Sequence, residues 1–104
     1  MGKKKDGLNT FIDKLQAHLS PSKVILFGSR AKGDALAGSD YDIIVVSEKY
    51  RGVPFTDRMT ELYRQWSLAT DVDFLCYTPE EFEKKREQIG IVSDALRHGK
   101  MLVG

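Results

Sequence analysis

The chain has 104 residues, 16 basic and 15 acidic side chains, and a hydrophobic fraction of 41%. This length predicts a single domain over residues 1–104 with one modest core, and the composition argues against a disordered protein. The net charge of +1 argues against a dedicated nucleic-acid binder, which normally carries a strong basic excess.

The cysteine count and the lengths of the apolar runs indicate the cellular compartment of the protein. Cys76 is the single cysteine, which excludes an intrachain disulfide and a cysteine-rich zinc site. Every apolar run is too short to cross a membrane, and no apolar stretch follows the basic N-terminus as in a secretory signal. We therefore expect a cytoplasmic protein without a membrane partner, in which Cys76 is a small core residue.

The first elements are a helix and a strand. Apolar residues recur at helical spacing from Leu8 to Leu19, and Pro21 ends that pattern. The β-branched and aromatic run at residues 23–27 predicts a strand. A short helix over residues 29–32 and a turn-rich loop over 34–39 are expected next.

The middle of the chain predicts a second strand, a loop and a second long helix. Residues 41–47 end in an apolar run without alternation, as in a central strand covered on both faces. Residues 48–54 are expected to be a loop. A helix follows, and its predicted core stripe consists of Phe55, Met59, Leu62, Tyr63 and Trp66.

The last third predicts a strand over residues 72–77, two helical segments and a final strand over residues 100–103. Thr78 and Pro79 are typical of a helix start, Gly90 is expected to interrupt the helix, and Gly99 to end it. His18 and His98 lie near predicted helix C-termini, where an imidazolium complements the dipole, so neither needs a catalytic role. The alternation of elements predicts an α/β or α+β domain with a small sheet.

A glycine and a serine follow the first strand and predict an anion site. Gly28 permits a sharp turn and a close approach of the backbone to a ligand. Ser29 then begins a helix, where free N–H groups and the helix dipole favour an anion. A strand, a Gly-Ser turn and a helix together predict a phosphate cradle that is not a P-loop.

Three carboxylates are expected on one face of the sheet beyond this cradle. Asp40 and Asp42 are two residues apart in an extended segment, so their side chains point the same way. Asp73, in the next strand, can join them. Asp71 shares that face and competes as the third acid, but it begins the strand, where aspartate commonly ends a loop. Clustered carboxylates repel unless a hard cation such as Mg²⁺ or Mn²⁺ lies between them.

These residues resemble a known signature. Gly28-Ser29, Gly33 and Ser39-Asp40-Tyr41-Asp42 are similar to the GSxxxG-plus-SDxD pattern of the polymerase-beta-type nucleotidyltransferase superfamily. The short length makes the chain most similar to its minimal nucleotidyltransferase (MNT) family. The resemblance covers nearly the whole chain and implies one nucleotidyltransferase domain, an α/β (α+β) fold with a central mixed β-sheet flanked by helices.

The resemblance also implies roles for individual residues. Asp40 and Asp42 would bind the metals, with two Mg²⁺ or Mn²⁺ ions expected, and Asp73 would be the third carboxylate or the base. The nucleotide-binding residues would be Gly28, Ser29, Arg30, Gly33 and Ser39.

The implied activity is metal-dependent transfer of a nucleoside monophosphate, AMP from ATP, to an acceptor hydroxyl. MNT proteins resemble antitoxins of HEPN-domain toxins, so a tyrosine of a HEPN partner is the implied acceptor. Larger nucleotidyltransferases carry a helical acceptor domain for which no residues remain here, so we expect the acceptor site on a partner or a second copy. Two alternatives stay open: a non-catalytic antitoxin that binds nucleotide and acts by contact, and an enzyme for a small alcohol.

Overall fold

A computed structural model of the chain describes residues 7–28, 41–68 and 71–104. Within these ranges the helices and strands alternate much as the sequence predicts. They are α1 (Gly7–Leu19), β1 (Lys23–Phe27), β2 (Tyr41–Val46), α2 (Phe55–Gln65), β3 (Val72–Tyr77), α3 (Pro79–Arg86), α4 (Ile91–His98) and β4 (Lys100–Val103). The predicted helix over 29–32 and the predicted loop over 34–39 lie outside the described residues.

Side-chain caps explain several element boundaries. The predicted second strand ends one residue early because Ser47 caps a 3₁₀ helix, Glu48–Tyr50, within the predicted loop. Thr78 accepts a hydrogen bond from the backbone N–H of Glu81, and the Glu81 side chain accepts one from the Thr78 N–H. This reciprocal capping box, with Pro79 in the first turn, begins α3 where the sequence predicts it.

The four strands form one mixed sheet in the order β3-β2-β1-β4. β1 pairs antiparallel with both β2 and β4, whereas β2 and β3 run parallel. The parallel pair requires a crossover, and α2 lies within the connection between these two strands. The predicted mixed sheet flanked by helices is therefore confirmed.

Successive side chains of the strands point to opposite faces of the sheet and pack in two separate hydrophobic cores. On one face α1 and α2 pack over a cluster that includes Leu15, Ile43 and Leu62. On the other face α3 and α4 pack over a cluster that includes Ile44 and Phe82. The end of β2 is buried on both sides, as predicted for a central strand. Among the described helices none is long and apolar enough to cross a membrane.

The predicted core stripe of α2 is only partly correct. Leu62 is buried and Trp66 packs edge-on against Phe11 with ring centroids 5.1 Å apart, but Phe55 and Tyr63 are each 43% exposed. α2 packs mainly on β3, which is an edge strand. The outer part of the stripe therefore lies where the sheet offers little surface to cover it.

A buried arginine of α2, Arg58, forms hydrogen bonds to the end of β3 and to α3. The Arg58 side chain is 7% exposed and donates two hydrogen bonds to the Glu81 carboxylate, at 2.6 and 3.2 Å. It also donates to the backbone carbonyls of Val53 and Cys76. Because these acceptors take four of the five N–H donors of the guanidinium, the charge is satisfied despite its burial.

Candidate functional site

The turn after β1 brings the backbone against a carboxylate. Gly28 has φ +79°, a left-handed conformation that other residues adopt at a cost. A Cβ atom at this position would overlap the Oδ2 atom of Asp42. Glycine is therefore needed here both for its φ angle and for the space that the Asp42 carboxylate occupies. The contact with Asp42 places the predicted phosphate cradle beside a predicted metal ligand.

Asp42 and Asp73 stand side by side on neighbouring strands. They are register partners in the parallel β2–β3 ladder, and Phe27 of β1 is the antiparallel partner of Asp42. Neighbouring strands lie about 4.8 Å apart, and register partners point to the same face. Phe27, Asp42 and Asp73 therefore form one row across the sheet, which we call the carboxylate row.

The carboxylate row lies on the same face as the second core cluster. Residues two apart in a strand point to the same face, so Ile44 shares the face of Asp42 and Leu75 shares that of Asp73. Ile44 belongs to the cluster beneath α3 and α4, and Leu75 packs against it. Asp73 is exposed and Asp42 is partly buried. The two carboxylates thus lie at the boundary between the apolar part of this face, which the helices cover, and the solvent.

The structure distinguishes the two candidates for the third acid by position. Asp73 lies within β3 beside Asp42, whereas Asp71 precedes the strand and is exposed. The backbone carbonyl of Asp71 accepts a hydrogen bond from the Tyr41 N–H at 3.0 Å, which fixes the start of the parallel pairing. This geometry favours Asp73, and the role itself stays a prediction.

The donor set fits a hard divalent cation. Two ionised carboxylates about 5 Å apart repel by roughly 3 kcal/mol at an effective dielectric of 20, and a cation between them removes that repulsion. Carboxylate oxygens suit Mg²⁺ or Mn²⁺ better than softer metals. The described residues contain no group of three or more His, Cys, Asp or Glu side chains that could hold a metal ion. A third protein ligand would be Asp40, outside those residues.

Of the predicted nucleotide-binding residues, Gly28 lies within the described ranges. It lies against Asp42 as stated above. The remaining predicted site residues lie outside the described ranges; they are Ser29, Arg30, Gly33, Ser39 and Asp40. Their assignments stay predictions.

Sequence reasoning missed a cleft beside this site. The cleft has a volume of about 110 Å³ and lies between the end of β1 and α4, lined by Phe27, Gly28, Ile91, Asp94, Ala95, His98 and Gly99. The Nε2 atom of His98 lies 3.9 Å from the Oδ1 atom of Asp94. The sequence feature that could have indicated this cleft is Gly99, which ends α4. A Cβ atom at Gly99 would lie 2.8 Å from the Leu26 carbonyl oxygen, so only glycine lets this end of α4 approach β1 so closely.

A larger cavity, about 440 Å³, lies at the opposite end of the strands. Its lining includes Leu15 of α1, Tyr50 of the 3₁₀ helix and Leu62 of α2. Tyr50 follows the end of β2, whereas Asp42 stands near its beginning, so this cavity is separate from the carboxylate row.

Cys76 takes no part in the candidate site. Its side chain is fully buried in the first core cluster, and burial raises the pKa of the thiol to about 11. A thiol that stays protonated at neutral pH is a poor nucleophile and a poor metal ligand. Cys76 is a core residue, as expected from the sequence.

Comparison with known proteins identifies relatives of this chain. The sequence model of a family described as "Polymerase beta, Nucleotidyltransferase" matches residues 9–103. A candidate nucleotidyltransferase from Sulfolobus solfataricus is 26% identical, with a TM-score of 0.57 over 81% of this chain and 84% of that chain. No curated protein sequence matches the chain significantly.

Two further solved structures are similar in fold alone, because they share less than a quarter of their residues with this chain. BolA1 from Arabidopsis thaliana is 17% identical, with a TM-score of 0.61 over 75% of this chain and 98% of that chain. Another candidate nucleotidyltransferase is 21% identical, with a TM-score of 0.51 over 79% of this chain and 90% of that chain.

Proposed function

The chain belongs to the polymerase beta nucleotidyltransferase family, and on that premise we propose that it transfers a nucleoside monophosphate from a nucleoside triphosphate to an acceptor hydroxyl. The observation that supports this is the carboxylate row, in which Asp42 and Asp73 stand side by side next to the backbone of Gly28. ATP is the expected donor and AMP the expected transferred group.

The proposed reaction is an in-line displacement at the α-phosphorus of the triphosphate. The acceptor oxygen forms a bond to that phosphorus, the bond to the bridging oxygen of the β-phosphate breaks, and pyrophosphate leaves with the electron pair. The acceptor proton passes to Asp73, which is exposed to an incoming acceptor. Gly28 keeps the β1 backbone close enough to Asp42 for both to face the same phosphate group.

Asp42, Asp73 and the predicted ligand Asp40 would hold Mg²⁺ or Mn²⁺, with two ions expected. When bound, the cations would neutralise charge on the phosphate and orient the attacking and leaving oxygens. The protein's own contribution is to keep two carboxylates fixed on adjacent strands of a rigid sheet, because a site on strands is held more precisely than one on loops.

We further propose that the acceptor is a protein hydroxyl, a tyrosine of a HEPN-type helical partner, and that the reaction neutralises this partner. Support comes from the resemblance to minimal nucleotidyltransferases. Label transferred from ATP to the purified partner by the wild type, and lost with Asp42→Asn, is the expected result. Protection of the partner by the Asp42→Asn variant without label transfer would instead favour a contact-only antitoxin.

The test of the proposed reaction is pyrophosphate release from ATP in the presence of Mg²⁺ and acceptor. Asp42→Asn and Asp73→Asn should each lower the rate at least about 100-fold, because each removes a charged group needed in the transition state. Asp57→Asn, in the first turn of α2 by the opposite cavity, is the matched control and should keep the wild-type rate. Full activity of Asp42→Asn would contradict the proposal.

The same assay separates the two candidates for the third acid. Asp71→Asn should keep most of the activity, because Asp71 holds the start of β3 through its backbone rather than its side chain. The reverse pattern, with Asp71→Asn inactive and Asp73→Asn active, would reassign the third carboxylate.

A further inference from the structure

The cleft between β1 and α4 opens directly beside the carboxylate row. Gly28 lines the cleft and also lies against the Asp42 carboxylate, and Phe27 lines the cleft and is the register partner of Asp42. A molecule whose phosphate lies at Gly28 therefore has this cleft as an adjoining space on the same face of the sheet.

The charges around the cleft disfavour phosphate. Asp94 contributes a carboxylate that is 69% exposed, and the end of α4 at His98 and Gly99 contributes the negative end of a helix dipole. A triphosphate placed against α4, away from Gly28, would be repelled. A neutral group that carries several hydrogen-bond donors would be attracted, because an ionised carboxylate is a strong acceptor.

The size and walls of the cleft fit a sugar. Its volume of about 110 Å³ is well above the ~10–15 Å³ needed to hold one water molecule, so the cleft has room for a small ring such as a pentose. Asp94 and His98 are four residues apart on one side of α4 and form its polar side, while Phe27, Ile91 and Ala95 supply apolar surface. This combination is typical of a site that orients a small polar ring.

We propose that this cleft is the subsite for the ribose of the nucleoside triphosphate, and that Asp94 accepts hydrogen bonds from the ribose hydroxyls. The proposal rests on the proposed function, because it places the neutral end of the same donor substrate whose phosphates lie at Gly28 and Asp42. Asp94 is a specificity-determining residue on this account, and His98 closes the side of the cleft next to it.

The test compares binding of ATP with binding of 2′,3′-dideoxy-ATP, which lacks the proposed donors, by calorimetry in the presence of Mg²⁺. The wild type should bind ATP about tenfold more tightly than the dideoxy compound, since hydrogen bonds to a charged group are stronger than those between neutral groups. Asp94→Ala should bind both compounds equally. Arg97→Ala, on the same helix but not in the lining of the cleft, should keep the wild-type ratio.

The two proposals fail in different ways. If ATP binds, Asp42→Asn abolishes turnover and Asp94→Ala keeps the tenfold preference for ATP, the ribose subsite is wrong and the proposed function stands. If the wild type binds ATP and the dideoxy compound equally, the ribose subsite is likewise wrong. If the wild type binds no nucleotide, both proposals are overturned. The free energy of unfolding of Asp94→Ala checks that the variant is folded.

Discussion

Because Gly28 has no Cβ atom, the turn after β1 can lie directly against the Asp42 carboxylate. The sequence predicts a turn at this glycine, but only the structure shows that the Asp42 carboxylate occupies the space a Cβ atom would need. The residue therefore has a conformational role, from its φ of +79°, and a separate steric role toward Asp42. The two roles can be separated by experiment because the chain contains a second glycine with the same φ.

Gly28→Ala should lower nucleotidyl transfer strongly and destabilise the fold by about 1–2 kcal/mol. The stability cost comes from the left-handed conformation, and the loss of activity comes from displacement of the Asp42 carboxylate. The measurements are the pyrophosphate release rate and the free energy of unfolding in urea.

Gly52→Ala is the matched control for this prediction. Gly52 also has φ +79°, but a Cβ atom there meets no atom within 4 Å. It should show a similar loss of stability with unchanged activity. Equal loss of activity in both variants would mean that strain, rather than contact with Asp42, accounts for the effect at Gly28.

Single residues were predictable from the sequence where their chemistry is local. The spacing of Asp40 and Asp42 and the place of Asp73 in the next predicted strand indicate these acids, and the structure places Asp42 and Asp73 beside each other. The proximity of Asp94 and His98 to Gly28 could not be predicted, because it depends on how closely α4 packs against β1. Gly99 permits that close approach to the Leu26 carbonyl, between residues 73 positions apart in sequence (99 − 26).

At the scale of elements, the Arg58–Glu81 pair holds the end of the molecule opposite the carboxylate row. Glu81 both completes the capping box of α3 and accepts two hydrogen bonds from Arg58 of α2. The Arg58 guanidinium also lies near the faces of the Tyr50 and Phe55 rings. Loss of the Glu81 charge would leave a nearly buried cation without its counter-ion.

Glu81→Gln should therefore destabilise the protein by about 1–3 kcal/mol, a range lowered for the partial exposure of the Glu81 side chain. Glutamine can still accept the hydrogen bond of the capping box through its carbonyl oxygen, so the change removes the charge and one hydrogen bond from Arg58 while the cap is kept. Glu83→Gln is the control: Glu83 pairs with Arg86 on the exposed surface, and its loss should cost less than about 0.5 kcal/mol. Equal effects in urea denaturation would refute the role assigned to Glu81.

The same ion pair predicts a pH dependence. The hydrogen bonds from Arg58 lower the pKa of Glu81 to about 2 in the folded protein, below its ordinary value of 4.5. Because the unfolded chain binds the proton more readily, this contribution to stability is present above about pH 5 and is lost as the pH falls from there to 2. The stability gap between wild type and Glu81→Gln should shrink over that range; a constant gap would show that the charge is not responsible.

Helices and strands were predicted well by periodicity, with one informative error. The pattern correctly indicates that one side of α2 is apolar, but Phe55 and Tyr63 are 43% exposed. Periodicity reports which residues share a helix face and not how wide a surface lies beneath that face. Because α2 packs mainly on an edge strand, the outer residues of its stripe extend past the sheet.

At the scale of the whole molecule, the α+β class followed from the order of the elements, but the sheet order did not. The parallel pairing of β2 with β3 joins segments separated by α2, and its register brings Asp42 beside Asp73. A shift of one residue would turn one carboxylate to the other face. Such a long-range register depends on the packing of both cores, which no local pattern specifies.

The fold alone does not determine the function of this chain. BolA1 is at least as similar in fold as the candidate nucleotidyltransferase from Sulfolobus solfataricus, with TM-scores of 0.61 and 0.57. Unrelated functions can share one fold, so the functional argument rests on the family match and on the carboxylate row.

The central claim is that the carboxylate row binds a divalent cation together with a nucleotide. The most direct measurement is a calorimetric titration of Mn²⁺ into the protein with a non-hydrolysable ATP analogue present, for wild type, Asp42→Asn and the control Asp57→Asn. The account predicts binding by the wild type and the control, and binding at least about tenfold weaker in Asp42→Asn. Equal Mn²⁺ affinity in all three proteins, or none in the wild type, would contradict it.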